Sequence, residues 1–320
     1  MIITTGVTLC LFLVSSAASP ATLPLTDVFV NGRDGYHTYR IPALITAKDG
    51  ALLAFCEGRR KTQSDAGDID LLVKRSIDGG KTWGPQEVVW DDGENTCGNP
   101  CPVVDQSTGI IWLPLTWNQG KDSEDQIKRN TGRDTRRVFI SQSTDNGRTW
   151  AKPQEITAEV KRTEWRWYAT GPGVGIQLTR GPWKGRLLIP CDHSLVQPGD
   201  PDGYGSHVIY SDDHGRTWQL GGEIHPAVNE CQVVELNDGT LLINMRNYDR
   251  SQTTRALATS ADGGLTWSSI RHDPTLVEPV CQASLLRYTT KPPKDKDRLV
   301  FSNPGRGEIG KRQDMTVRMS

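Results

Sequence analysis

The sequence lacks an excess of charge of either sign. It contains 37 Lys and Arg residues against 38 Asp and Glu residues, which gives a formal net charge of -1. A chain without a global electrostatic field does not attract nucleic acid or anionic membranes over long distances. An anionic ligand would therefore have to meet a local cluster of basic residues.

Long hydrophobic runs are also missing. The apolar stretch Ile2–Val14 is well short of the roughly 20 residues that a membrane-spanning helix needs. Small residues follow it at Ser15–Ser19, as they do before a signal peptidase site. Residues 1–21 are therefore expected to be a cleaved export signal, and residues 22–320 a secreted or periplasmic domain. The alternative is an unstructured apolar start.

The mean hydropathy of -0.50 excludes an integral membrane protein, and the ten Trp residues argue against a disordered chain. Metal-binding motifs are absent, because Cys97-x3-Cys101 has no His at ligand spacing. The six His residues show no pairing with a Ser or Cys of the kind that a catalytic triad needs. No metal and no cofactor are therefore expected.

Seven Cys residues are present, and Cys10 lies in the expected signal. The six that remain permit disulfides in an exported chain, or they are buried thiols with at most a local bridge.

Turn-forming residues, in contrast, are abundant. The chain has 32 Gly and 19 Pro, about one residue in six. Four segments share the pattern Ser-x-Asp-x-Gly-x-Thr-Trp, namely Ser76–Trp83, Ser143–Trp150, Ser211–Trp218 and Ser260–Trp267. The Asp can accept hydrogen bonds within the turn, the Gly can adopt a left-handed conformation, and the Trp can pack between units. These residues are interpreted as structural, because one reaction does not need four copies of its catalytic groups.

Repeats of about 50 to 70 residues with several short strands are typical of β-propeller blades. The fold class is therefore all-β, with blades that begin near residues 38, 100, 165, 227 and 279. The fifth blade is cut short, so the chain is expected to be a fragment. The aromatic run Trp165–Tyr168 is interpreted as core between blades rather than as the lining of a cleft.

Hairpin spacing predicts which charged residues share one end of the propeller. In the hairpin that turns at Asp238, Glu230 and Arg246 face each other at the end away from the turn. In the first hairpin, Arg40 faces Glu57 or Gly58 at the equivalent end.

Two loops are predicted to open at this same end. Asp65 lies in the loop after the first hairpin, and Arg312 lies in the equivalent loop of the fifth blade. Three converging Arg residues suit a shared anion such as a carboxylate. The alternative is that each Arg pairs locally with an acid such as Glu57, Asp249 or Glu308.

These residues resemble the motifs of the exo-α-sialidase (neuraminidase) family. The resemblance includes Tyr39-Arg40-Ile41-Pro42, the four repeats known as Asp boxes, Glu230-Cys231-Gln232 followed by Met245-Arg246, and the late Arg312. It extends from Asp27 to Ser320. It implies a six-bladed propeller, of which about five blades are present. It also implies hydrolysis of terminal sialic acids from glycoproteins, glycolipids or oligosaccharides, with retention of configuration.

The resemblance also implies roles for individual residues. Arg40, Arg246 and Arg312 would bind the carboxylate of sialic acid, and Arg59 would be an accessory sugar contact. Asp65 would be the general acid and base. Glu230 would activate the nucleophile, which in this family is a Tyr.

Asn99 would be a further substrate contact, at a position where relatives often have an Asp. That departure leaves the contact to the N-acyl or glycerol arm of the sugar open.

The nucleophile itself is expected beyond this chain. The family Tyr follows the last Arg of the trio by roughly 30 residues, whereas this sequence ends eight residues after Arg312. The seven Tyr that are present match other positions, namely Tyr36, Tyr39, Tyr168, Tyr204, Tyr210, Tyr248 and Tyr288. The 320-residue chain alone is therefore expected to be inactive. Two other functions stay open, a non-catalytic propeller that binds sialylated glycans and a trans-sialidase.

Overall fold

The computed structural model describes residues 25–195, 203–288, 297–306 and 308–320, and the predicted export signal lies outside these ranges. Within them the chain forms 21 strands and two short helices, so the all-β prediction is confirmed. No helix in the described ranges is long and apolar enough to cross a membrane.

The strands form successive antiparallel units that correspond to propeller blades. The first blade contains β1 (Thr38–Thr46), β2 (Leu52–Arg59), β3 (Ile69–Ser76) and β4 (Glu87–Trp90). The second contains β5 (Thr96–Gly98), β6 (Val103–Val104), β7 (Ile111–Asn118), β8 (Arg137–Ser143) and β9 (Gln154–Glu155). The helix α1 (Glu124–Lys128) lies between β7 and β8, and α2 (Thr157–Val160) follows β9. A parallel contact between Ile69 and Thr96 joins these two blades into one sheet.

The other three blades are separate sheets. The third contains β10 (Tyr168–Thr170), β11 (Ile176–Gln177), β12 (Leu187–Ser194), β13 (Tyr204–Ser211) and β14 (Gln219–Ile224). The fourth contains β15 (Val228–Glu235), β16 (Leu241–Asn247), β17 (Thr254–Ser260) and β18 (Arg271–Val277). The fifth contains β19 (Ser284–Arg287), β20 (Leu299–Pro304) and β21 (Met315–Met319). The predicted blade starts agree with these bounds to within a few residues.

The Asp boxes form the turns that follow β3, β8, β13 and β17, one in each of the first four blades. In each box the Ser hydroxyl donates to the Asp carboxylate at 2.8 Å, and the Thr backbone N–H donates to the same oxygen at 2.9–3.0 Å. The Thr hydroxyl donates to the second carboxylate oxygen at 2.6–2.7 Å. All four carboxylates are therefore used within their own turns, as the structural interpretation predicts.

The Gly of the box is required by backbone geometry. Gly147, for example, has a φ of 81°, and a Cβ there would lie 2.4 Å from Leu53 Cδ1. This Gly both adopts the left-handed conformation and packs against the preceding blade.

The box Trp residues pack between blades. Trp150 of the second blade contacts Phe55 of the first with ring centroids 5.5 Å apart, and Trp218 of the third contacts Trp112 of the second at 6.5 Å. Buried aliphatic residues of adjacent blades complete these interfaces. The core is therefore a series of inter-blade layers.

All six Cys residues of the described chain are buried free thiols, namely Cys56, Cys97, Cys101, Cys191, Cys231 and Cys281. The structure therefore favours the buried-thiol alternative over a disulfide framework.

Candidate active site

The register of two hairpins places charged residues at one end of the propeller. In the first hairpin Arg40 pairs with Glu57 across β1 and β2. In the fourth blade Cys231 pairs with Met245, which brings the preceding Glu230 beside Arg246. The hairpin positions predicted from the turns at Asp49 and Asp238 are confirmed.

Loops bring the other predicted residues to the same place. Asp65 lies between β2 and β3, Arg312 lies between β20 and β21, and Asn99 directly follows β5. All seven predicted site residues line one cavity of about 200 Å³. An adjoining cavity of about 410 Å³ shares Arg40, Glu230, Arg246 and Arg312 with it among other residues. The structure therefore brings together every residue that the sequence assigned to the site.

Two of the Arg residues converge on Asp65. Arg40 Nη1 lies 2.7 Å from Asp65 Oδ1, and Arg59 Nη2 lies 2.7 Å from the same oxygen. Arg59 also pairs with the buried Glu57, with its Nη2 2.6 Å from Oε2. Burial alone would lower the pKa of the Arg59 guanidinium, but Glu57 and then Asp65 outweigh it and raise that pKa. Arg59 therefore remains charged.

Glu230 and Arg246 form the second ion pair of the cavity. Arg246 Nη1 lies 2.7 Å from Glu230 Oε2. Burial opposes the charge of Arg246, but the neighbouring Glu230 carboxylate outweighs it and raises the Arg246 pKa. The Arg246 Nε is buried, and no described residue hydrogen-bonds to it. The guanidinium thus has donor capacity that protein groups do not use.

Arg312 differs from the other two members of the trio. Among the described residues no carboxylate lies within ion-pair distance of it, although it lines both cavities. The acids offered as local partners are used elsewhere: Glu57 pairs with Arg59, Glu308 with Lys311, and Asp249 bonds within its own turn. Within the trio, Arg40 pairs with Asp65 and Arg246 pairs with Glu230. The Arg312 guanidinium has no carboxylate partner among the described residues, so it can bind an anion.

Asn99 sits deeper in the cavity wall. It has a φ of 52°, and its backbone N–H donates to Glu57 Oε1 at 3.0 Å. Its side-chain oxygen accepts hydrogen bonds from Arg136 and, at 3.3 Å, from Thr116. The side chain of Asn99 thus belongs to a buried polar network that touches the cavity.

Arg136 was not found by sequence reasoning. It lies over the Trp167 ring at 4.0 Å and donates to Asn118 Oδ1 at 2.7 Å. Because burial is the largest influence, the pKa of Arg136 is lowered. It adds a fifth guanidinium to the cavity wall, bonded to the neutral side-chain amides of Asn99 and Asn118.

Two Tyr residues also line the cavity. The Tyr204 hydroxyl donates to Glu124 Oε1 at 2.5 Å, and the Tyr204 and Tyr248 rings lie 4.7 Å apart. Glu124 is positioned by the capping box of α1, in which Ser123 bonds the first helical turn. Burial raises the pKa of Glu124 despite the hydrogen bond from Tyr204.

Asp192 and Asn229 complete this wall. Asn229 Nδ2 donates to Asp192 Oδ1 at 2.9 Å, whereas Asp192 Oδ2 is buried and has no hydrogen-bond partner in the described ranges. Burial, with Glu230 and Glu124 as further causes, raises the pKa of Asp192 well above its usual range. Burial thus raises the pKa of two carboxyl groups of the cavity wall, Glu124 and Asp192.

Comparison with known proteins identifies the family. Residues 50–320 match the family described as BNR repeat-like domain. A sialidase of Micromonospora viridifaciens is 35% identical over 305 residues, covering 92% of this chain and 46% of that protein. An exo-alpha-sialidase of Aspergillus fumigatus is 34% identical over 304 residues, covering 89% of this chain and 68% of that protein. The chain belongs to the sialidase family.

Solved structures agree with this sialidase assignment. A Hadza microbial sialidase superposes with a TM-score of 0.79 at 33% identity, covering 90% of this chain and 57% of that one. A leech intramolecular trans-sialidase superposes with a TM-score of 0.78 at 19% identity, a likeness of fold alone. The chain spans about half the length of the M. viridifaciens sialidase.

Sequence reasoning missed several residues of this cavity for a common reason. Glu124, Arg136 and Tyr204 lie in or beside loops that no repeat or turn signal marks. Asn229 and Tyr248 could have been found, because each lies within two residues of a predicted site residue. The aromatic run was only partly core: Trp165 and Tyr168 are buried between blades, whereas Trp167 lines the cavity.

Proposed function

We propose that this chain forms the substrate site of an exo-α-sialidase that hydrolyses terminal sialic acids from glycoconjugates with retention of configuration. The observation on which the proposal rests is the convergence of Arg40, Arg246 and Arg312 with Asp65 and Glu230 on one cavity. These residues come from the first, fourth and fifth blades.

The three Arg residues suit the substrate's carboxylate. A guanidinium presents paired N–H donors that match a planar carboxylate, and the low dielectric of a cleft strengthens each bond. Arg312 can donate without first leaving an ion pair with a described carboxylate, and Arg246 Nε has no hydrogen-bond partner among the described residues. Arg40 offers its donors when the substrate replaces Asp65 as its partner.

Asp65 is proposed as the general acid and base. It is 61% exposed at the mouth of the cavity, where it can reach a glycosidic oxygen. It would protonate the leaving oxygen in the first step and activate water in the second. Release from Arg40 on substrate binding removes one of the two guanidinium contacts of this carboxyl group, while Arg59 still holds Oδ1.

Glu230 is proposed as the base that activates a Tyr nucleophile. The anomeric carbon of sialic acid bears a carboxylate, so a neutral phenol approaches it without the repulsion that an Asp or Glu would meet. Sialidases with a Tyr nucleophile are a known exception to the two-carboxylate rule. None of the seven Tyr of this chain is assigned to the role, and Tyr204 and Tyr248 remain cavity-wall residues in this proposal.

The decisive experiment measures fluorophore release from an α-sialoside by the full product of the gene, beside the 320-residue chain. Asp65→Asn and Glu230→Gln are each expected to lower kcat by about 100-fold or more. Asp125→Asn and Glu159→Gln are matched controls, because both residues are exposed and lie outside the cavity. Unchanged turnover in the first two variants would contradict the assignment.

The same assay separates the alternatives. A folded wild-type product that binds sialic acid without releasing it would identify a glycan-binding propeller. Release that yields mainly transfer to added lactose, rather than free sialic acid, would identify a trans-sialidase. Turnover by the 320-residue chain alone would show that its own residues complete the machinery.

We also propose that residues 1–21 direct export to the periplasm or the medium. N-terminal sequencing of the secreted protein tests this directly, with a first residue between Ser19 and Thr22 expected. A protein that stays in the cytoplasm with Met1 intact would contradict it.

A further inference from the structure

Three His residues and one Glu gather across β12, β13 and β14 of the third blade. His193 lies on β12, His207 on β13 and Glu223 on β14, and His225 directly follows β14. His207 pairs with Glu223 across the sheet, and His193 pairs with Gly205 two residues before His207. The cluster therefore lies on adjacent strands of one sheet, although 32 residues separate His193 from His225 in sequence.

The ligand atoms have the spacing of a metal site. His193 Nε2 lies 3.0 Å from His225 Nε2, and His225 Nε2 lies 3.7 Å from Glu223 Oε2. All three atoms lie within 4.8 Å of one another. A tetrahedral ion with bonds of about 2.0–2.2 Å needs ligand atoms about 3.4 Å apart. Small side-chain movements would meet that geometry.

A second layer of contacts orients these groups. His193 Nδ1 lies 3.0 Å from His207 Nδ1, and the Trp165 ring stacks on the His193 ring at 3.6 Å. Arg162 Nε contacts Glu223 Oε1, which leaves Oε2 to face His225. Outer hydrogen bonds of this kind fix the ring nitrogen that faces a metal.

The cluster is open to solvent on one side only. His193 itself is buried. His225 is 36% exposed and Glu223 is 21% exposed, so an ion can enter from solvent and keep a water ligand.

We propose that His193, Glu223 and His225 bind a divalent transition-metal ion, with Zn²⁺ as the best match to two imidazoles and a carboxylate. When the ion binds, the N–H hydrogen between His193 Nε2 and His225 Nε2 moves to Nδ1 of His225, so that both Nε2 lone pairs face the ion. The site connects β12 to the segment after β14, and so stabilises the blade that supplies Asp192 and Tyr204 to the cavity. This proposal does not depend on the proposed function.

The test uses untagged protein, so that no added His residues bind the ion. Calorimetric titration with Zn²⁺ is expected to show one site. Co²⁺ is expected to give the visible absorption bands of a tetrahedral ion. Zn²⁺ is also expected to raise Tm, and the increase should grow with the Zn²⁺ concentration above Kd.

Three variants make the assignment specific. Glu223→Gln and His225→Asn are each expected to weaken Zn²⁺ binding by about tenfold or more. His37→Asn is the control, because His37 is exposed and lies outside the cluster. His225→Asn and Glu223→Gln change partly exposed residues, so both should fold, which a Tm without metal checks. Absence of stoichiometric binding to the wild type, or equal binding by all three variants, would overturn the proposal.

Discussion

Glu57 and Arg59 lie two residues apart on β2, and their side chains meet on one face of the strand. Arg59 Nη2 lies 2.6 Å from Glu57 Oε2, and both side chains are at most 3% exposed. The period of two along a strand places them side by side. Arg59 also reaches Asp65, so this buried pair holds the loop that bears the proposed acid.

We expect Arg59→Met to lower the free energy of unfolding by about 3–5 kcal/mol, because it leaves the Glu57 carboxylate buried without a countercharge. Urea unfolding of both proteins measures the change. Arg148→Met is the control, since Arg148 is 55% exposed and pairs with Asp49 only at 3.5 Å. Its expected effect is about 0–1 kcal/mol. Equal losses of unfolding free energy in Arg59→Met and Arg148→Met would contradict the prediction that burial of the Glu57–Arg59 pair makes its loss costly.

Arg312→Ala should weaken binding of free sialic acid to this chain by about tenfold or more, because it removes charged hydrogen bonds to the ligand carboxylate. Its Tm should not change, because no carboxylate of the described chain lies within ion-pair distance of Arg312. Calorimetry gives the affinity. Arg306→Ala is the matched control from the same loop, where Arg306 is 54% exposed and pairs with Asp314. A loss of affinity in both variants would point to general electrostatics.

Acid should reduce the stability that the ionised Asp-box carboxylates contribute to the folded chain. At Asp145 burial alone would raise the pKa, but hydrogen bonds from Thr149, Ser143 and Arg148 outweigh it and lower the pKa to about 2. A lowered pKa in the folded state means stability that is full above the unfolded value near 4 and is lost as pH falls towards 2. The unfolding midpoint in urea at several pH values measures this loss.

Asp145→Asn should therefore lose less stability between about pH 4 and pH 2 than the wild-type chain, because an amide does not titrate. Asp27→Asn is the control, because Asp27 is exposed and no hydrogen bond or ion pair involves it among the described residues. Identical pH profiles for Asp145→Asn and the wild type would show that the box carboxylate contributes nothing to acid sensitivity.

Thiol titration tests the cysteine assignment. A chain that begins at Leu25 should react with Ellman's reagent at six thiols after unfolding, and at few before it, because all six side chains are buried. Burial also raises the pKa of thiols such as Cys101 and Cys191, which disfavours the reactive thiolate. Fewer than six thiols in the unfolded, unreduced chain would indicate a disulfide.

The sequence by itself determined the blades and the two hairpins that present Arg40, Glu230 and Arg246. Both features are local: the Asp box closes its own turn with its own Ser and Thr, and a tight turn sets the register of its two strands. Counting outward from such a turn therefore predicts which residues face each other several positions away. The loop positions of Asp65 and Arg312 could also be predicted, because the order of strands and turns repeats from blade to blade.

Only the tertiary structure decided which other side chains join them. Arg136 lies directly before β8 and Tyr204 begins β13, and no repeating signal marks either position. Trp167 faces the cavity, whereas Trp165 is core. The His193–His225 contact likewise depends on strand pairing within the third blade and on the path of the chain after β14. Such contacts join residues far apart in sequence. Their geometry depends on how whole strands and blades pack, which no local period in the sequence records.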